Sequence, residues 1–206
     1  MEFQNPRDLL TSIEAEIERI PPDEFFNKAK YEKQREAWCA ALFGVGLGKL
    51  DLDTTVRVNT SNHRLDVDLE IQMPGKRLEF QLVMAKDPDY RLGQVYKEFA
   101  KGKRTSGPYR PGKGTRSGPS WIRTAIDKKI KKNYSEAKKL NLLVYVNFDA
   151  HQLAYVDVYN ECSNTVDEFA SIWLLASTQL SSLKAGLHLP AIEGWCEIRN
   201  VDEYYA

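Results

Sequence analysis

Residues 64–83 read RLDVDLEIQMPGKRLEFQLV, and their periodicity decides the fold class. Leu65, Val67, Leu69 and Ile71 alternate with Asp66, Asp68 and Glu70; beyond a short break, Leu78, Phe80 and Leu82 alternate with Glu79 and Gln81. A period of two is that of an extended chain with one face buried. Pro74 and Gly75, inside the intervening QMPGK, favour a turn, so the stretch is a hairpin. If the turn sets Glu70 opposite Glu79, Asp68 falls opposite Gln81 and the polar side chains share one face. Opposed carboxylates repel at roughly 0.2–1 kcal/mol per pair. A positive charge is needed there, and Mg²⁺, which takes carboxylate oxygens and keeps several waters, meets that need. The plainer alternative is the wet face of a half-buried sheet.

Working outward, DTTVRVN (53–59) supplies a first strand, which makes a three-stranded meander. Upstream, PRDLLTSIEAEIERI reads as a helix with Leu9, Ile13, Ile17 and Ile20 on one stripe, closed by Pro21 and Pro22. A second helix is expected from Asp23 to the glycines at 44, 46 and 48. Downstream, residues 89–102 read as a helix, 102–119 as a Gly- and Pro-rich insertion loop, and 120–139 as a further helix. Leu140–Phe148 is an apolar run suited to a strand buried on both faces. LAYVDVY (153–159) is expected to pair beside it, VDEFASIWLLASTQL (166–180) to form a helix, and WCEIRN (195–200) a last strand. The order α-α-β-β-β-α-α-β-β-α-β predicts an α/β domain with a mixed sheet, and 206 residues suit a single domain.

Equal numbers of basic and acidic residues hide a strong segregation. Residues 91–140 carry 15 Lys and Arg against 3 Asp and Glu, whereas 1–90 carry 12 against 17 and 141–206 carry 2 against 9. Such a basic block attracts phosphate backbones, although it also suits a plain solvated surface. Lys101, Lys103, Arg104, Arg110, Lys113 and Arg116 interleave with Tyr109 and Trp121, a mixture that neutralises phosphates and stacks on bases. Lys128, Lys129 and Lys132 continue the basic character onto the next helix.

Other classes find little support. A mean hydropathy of -0.50 and the lack of a long apolar run predict no membrane span, and the first residues show no secretory leader, so a cytoplasmic protein is expected. Cys39, Cys162 and Cys196 form neither a disulfide framework nor a zinc spacing, and His63, His151 and His188 are scattered. Gly107, Gly112 and Lys113 match GxxxxGK, but Gly114 stands where a P-loop needs Ser or Thr.

The helix, the meander, the acid near the end of the second strand and the E-x-Q of the third together resemble the PD-(D/E)XK superfamily of restriction-endonuclease-like nucleases. The helix segment REAWCAALFGVGL is similar to the E-x2-apolar-x2-L-x3-G helix of archaeal-type Holliday-junction resolvases in that superfamily, through Glu36, Cys39, Leu42 and Gly46. The likeness spans about residues 30–148 and implies an αβββαβ core. It implies that Asp68 and Glu79 bind Mg²⁺, with Mn²⁺ as substitute, and that Glu36 assists from the helix. Gln81 stands where the family has its lysine, which leaves Lys86 or Lys128 as a displaced replacement. Asp66 or Glu70 remain alternatives for the first ligand. The implied activity is hydrolysis of DNA phosphodiester bonds. The alternatives are a module that binds nucleic acid or a partner without cutting, and a homodimer pairing acidic flanks with the basic block.

Overall fold

A computed structural model describes residues 2–21, 24–25, 28–59, 67–89, 112–132, 137–148, 150 and 152–199. The expected helix at 89–102 and most of the expected loop lie outside these residues. Helix α1 (Pro6–Ile17) starts where expected. Asn5 caps it by accepting from the Arg7 and Asp8 amides, and Pro6 takes a first-turn place where its missing N–H costs nothing. Helix α2 (Glu32–Gly48) follows a short 3-10 turn at Ala29–Tyr31, so it starts later than expected.

Gly44 and Gly46 lie inside α2 and do not end it. A Cβ on Gly44 would stand 2.6 Å from Pro6 Cγ and 2.7 Å from Val56 Cγ1, and one on Gly46 would stand 2.9 Å from Leu180 Cδ2. The close approach of α1 and the sheet therefore requires glycine, and packing outweighs a helix-propensity cost of about 1 kcal/mol at each.

Seven strands form one mixed sheet in sequential order: β1 (Thr55–Val58), β2 (Leu69–Met73), β3 (Lys76–Lys86), β4 (Asn141–Asn147), β5 (Ser171–Leu175), β6 (Gln179–Lys184) and β7 (Cys196–Glu197). The β1–β2–β3 meander is antiparallel, β3, β4 and β5 run parallel, and β5–β6–β7 are antiparallel again. Parallel neighbours need a crossover, and helices α3 (Lys113–Ile130) and α4 (Tyr155–Cys162) supply the two. The chain is thus mixed α/β, with four α-helices among the described residues.

Each sheet face carries its own core. On one, Leu42, Phe43, Leu69, Ile71, Phe80 and Trp173 pack under α1 and α2; Phe43 sets its ring 5.1 Å from Phe80 and 5.5 Å from Trp173. On the other, Ile122, Ile126, Leu142, Val144, Val158 and Ile172 pack under α3 and α4.

Three expectations fail for tertiary reasons. LAYVDVY does not pair as a strand: Val158 and Cys162, four apart, are both fully buried, and the segment is α4. VDEFASIWLLASTQL is not a helix, because Ser171–Leu175 is buried on both faces of the sheet interior, and the chain returns as β6. Residues 113–119 open α3 instead of completing a loop. Gly112, at φ 72°, breaks the chain before the helix, and Pro119 is carried within it. Gly118 admits Phe148, whose Cε2 would stand 2.6 Å from a Cβ there, and this packing overrides the composition. No described helix is long and apolar enough to cross a membrane. Cys39 and Cys162 are buried and Cys196 partly so, and none is in a disulfide.

Candidate functional site

Glu70 pairs directly with Glu79, the register the hairpin pattern anticipates. The β2–β3 ladder begins at Leu69 opposite Phe80, and Asp68 occupies a bend just before it. Its amide still donates to Phe80 O at 2.9 Å, but its own carbonyl accepts from the Asn59 amide at 3.0 Å, so among the described residues the β2–β3 ladder stops at this split. The Leu82 N–H consequently needs a partner, and Asp68 Oδ2 accepts it at 2.7 Å. The carboxylate is thus held at the split between two strands. Its Oδ1 takes no hydrogen bond among the described residues.

Lys129 enters this split from α3. Ile122, Ala125, Ile126 and Lys129 follow helical spacing on the inward face, so the lysine is 9% exposed beside fully buried isoleucines. Its Nζ donates to Gln81 Oε1 at 2.5 Å and lies 3.6 Å from Asp68 Oδ2. Burial pushes its pKa below the ordinary lysine value; the negative charge of Asp68 opposes this, Lys132 adds to it, and Glu36 opposes it weakly. Glu36, on the first turns of α2, is held by Lys33 Nζ at 2.7 Å. Burial raises the Glu36 pKa above the ordinary carboxylate value, Lys33 works against that, and Asp68 raises it further. Asp68, Lys129, Gln81 and Glu36 therefore form one electrostatic group drawn from a strand edge, two helices and β3.

The remaining expected residues fall in different places. Glu79 lies two residues before Gln81 on β3, half-buried, and its carbonyl accepts from Asn141 Nδ2 at 2.9 Å. Glu70 is 3% exposed and clamped between Arg57 and Arg77, so arginines balance the hairpin's charge at that point without a metal. This removes Glu70 as first ligand, and Asp66 lies outside the described residues.

Lys129, expected among the phosphate-binding lysines, is turned inward, its ammonium facing Asp68 and Gln81. Lys86 and Lys128, the expected replacements for the missing lysine, are exposed, and Lys129 takes the inward place instead. Its i, i+3, i+4, i+7 relation to Ile122, Ala125 and Ile126 is the sequence signal that would have found it. Lys113 faces two acids: Nζ meets Asp87 Oδ2 at 2.6 Å and Asp89 Oδ2 at 3.0 Å. Arg116 and Lys128 are exposed on α3 and Lys132 in the turn after it, while Lys101, Lys103, Arg104 and Arg110 lie outside the described residues.

Carboxylate oxygens are the donors that a hard cation takes. Mg²⁺ is commonly held by one or two carboxylates together with waters and substrate phosphates, so it does not require a larger cluster. No group of three or more His, Cys, Asp and Glu suited to a metal occurs among the described residues. Comparison of the chain with protein-family models, curated proteins and solved structures finds no match.

Proposed function

We propose that the chain is a metal-dependent nuclease of the PD-(D/E)XK type that hydrolyses DNA phosphodiester bonds. The observation that carries this reading is Lys129, which brings an ammonium to Gln81 and Asp68 and so replaces the lysine missing from the E-x-Q. The order of elements supports it as well, with α2, the antiparallel meander, the α3 crossover and parallel β4 running as αβββαβ.

In this reading Asp68 and Glu79 hold Mg²⁺, with Glu36 assisting. Mg²⁺ held by these residues would supply a water of lowered pKa and offset charge on the scissile phosphate. Asp68 is kept in place by the Leu82 amide and does not rely on the cation for its geometry. Lys129, partly desolvated, stabilises the extra negative charge that develops on phosphate oxygens. A preorganised donor in such a site does this without reorganising. Gln81 fixes the Lys129 ammonium through its carbonyl oxygen. Arg116 and Lys128 on the exposed side of α3, and Lys132 in the turn after it, hold the backbone.

Purified protein is expected to nick supercoiled plasmid in Mg²⁺ or Mn²⁺, and Asp68→Ala and Glu79→Ala to abolish the nicking. Binding of DNA at low salt with no nicking in either metal would overturn the enzyme reading in favour of a binding module. The pH profile carries the two shifted groups. The rate should climb as Glu36 ionises, with a midpoint raised from the ordinary glutamate value, and decline as Lys129 loses its proton, with a midpoint lowered from the ordinary lysine value. Glu36→Gln should remove the acid limb alone. A wild-type profile in that variant counts against a role for Glu36.

A further inference from the structure

A cleft of about 670 Å³ opens at the end of the sheet where β4 begins and β6 finishes. Leu78 and Leu189 form its floor and Leu187, 95% exposed, one wall, while Lys138, Lys139 and Lys184 stand around it. None of its lining residues is acidic among the described residues. Asp167, itself exposed, meets Lys184 Nζ at 3.3 Å, and Lys184 also donates to Phe169 O at 2.9 Å, which fixes its direction. Lys76 brings a further cation, its Nζ 2.7 Å from Nδ1 of His188 in the cleft wall.

The wall is shaped and not incidental. Gly186, at φ 80°, turns the chain against the body of the sheet, where a Cβ would stand 3.1 Å from Ala170 O and 3.1 Å from Ser171 Cβ. Asn141 joins the cleft to the candidate site. It lines the cleft, donates to Glu79 O at 2.9 Å and accepts from Ser171 Oγ at 2.7 Å.

We propose that this cleft seats one unpaired nucleotide of a nucleic-acid strand, the base against the leucines and its flanking phosphates on Lys138, Lys139 and Lys184. The inference rests on the nucleic-acid reading above and adds its substrate class. An apolar floor under a cationic rim complements an unstacked base between phosphates, whereas a base inside a duplex keeps its faces stacked on neighbours and away from protein. The volume is that of a small-ligand pocket, which suits one nucleotide and not a helix.

The test is fluorescence anisotropy of a short labelled single strand, titrated in EDTA at low salt. The double variant K138E/K139E should lose about tenfold or more in affinity and flatten the salt dependence. Leu187→Asp, which alters an exposed side chain, should lose severalfold with an unchanged circular dichroism spectrum. AMP should displace the strand where equimolar inorganic phosphate does not. Wild-type affinity in Leu187→Asp, equal competition by AMP and phosphate, or displacement by a polyglutamate peptide with AMP inert would each overturn the assignment. Nicking of plasmid, measured separately, decides the roles of Asp68 and Lys129, so either reading can fail without the other.

Discussion

Lys129→Met is expected to lower metal-dependent nicking by about 10³-fold, the scale on which removing one preorganised donor from a reaction site acts. Methionine approximates the length of the side chain and suits its apolar surroundings, so α3 should still pack through Ile122 and Ile126. The variant loses the contacts to Gln81 Oε1 and Asp68 Oδ2, but it also loses the cost of burying an ammonium. These oppose, and the net change in stability should stay within about 2 kcal/mol. Plasmid nicking, DNA affinity and thermal unfolding, measured on the same preparation, separate the effects. Lys132→Met, which removes an exposed lysine in the turn just after the same helix, should weaken DNA binding while sparing the maximal rate. A Lys129→Met protein that nicks at the wild-type rate sinks the catalytic placement of this lysine.

Phe80→Ala should cost about 3–5 kcal/mol of folding stability, the range for truncating a fully buried phenylalanine. Against a total of roughly 5–15 kcal/mol for a domain, this is a large share. Phe80 is buried completely in the α1–α2 core, with its ring edge-on to Phe43 at 5.1 Å. It lies between Glu79 and Gln81 on β3, and its carbonyl accepts from the Asp68 amide. The same residue therefore anchors the sheet to α2 and sets the register that aims the candidate ligands at the opposite face. Urea unfolding should show a lower midpoint, and nicking should fall in step with it. A cost under about 1 kcal/mol would mean that Phe43 and Trp173 close the cavity, and that Phe80 does not fix the strand.

The meander was legible because its pattern is local. Period-two alternation over residues 65–71 and 78–82, with Pro74 and Gly75 between, specifies two strands and their inward faces; the opposition of Glu70 to Glu79 depended on the turn, and the structure has it. The α1 stripe and the apolar run of β4 are local in the same sense. The segment 166–180 was not legible: an apolar run has no period to read once both its faces are buried, and whether it becomes a helix or β5 and β6 depends on the neighbouring strands. Residues 113–119 misled because glycine and proline signal a loop unless a ring such as that of Phe148 needs the room they leave.

For the site, the chain's pattern placed Asp68, Glu79 and Gln81 on neighbouring strands and Glu36 on the preceding helix, but not the charge that answers them. Residues 48 positions apart, Gln81 and Lys129, meet only because α3 crosses over the sheet and turns its isoleucine face inward, carrying the lysine with it. Local alternation and helical spacing are written in adjacent residues and survive as sequence. The partner of a buried charge is set by which element packs over which strand, and that follows from burying two apolar faces at once.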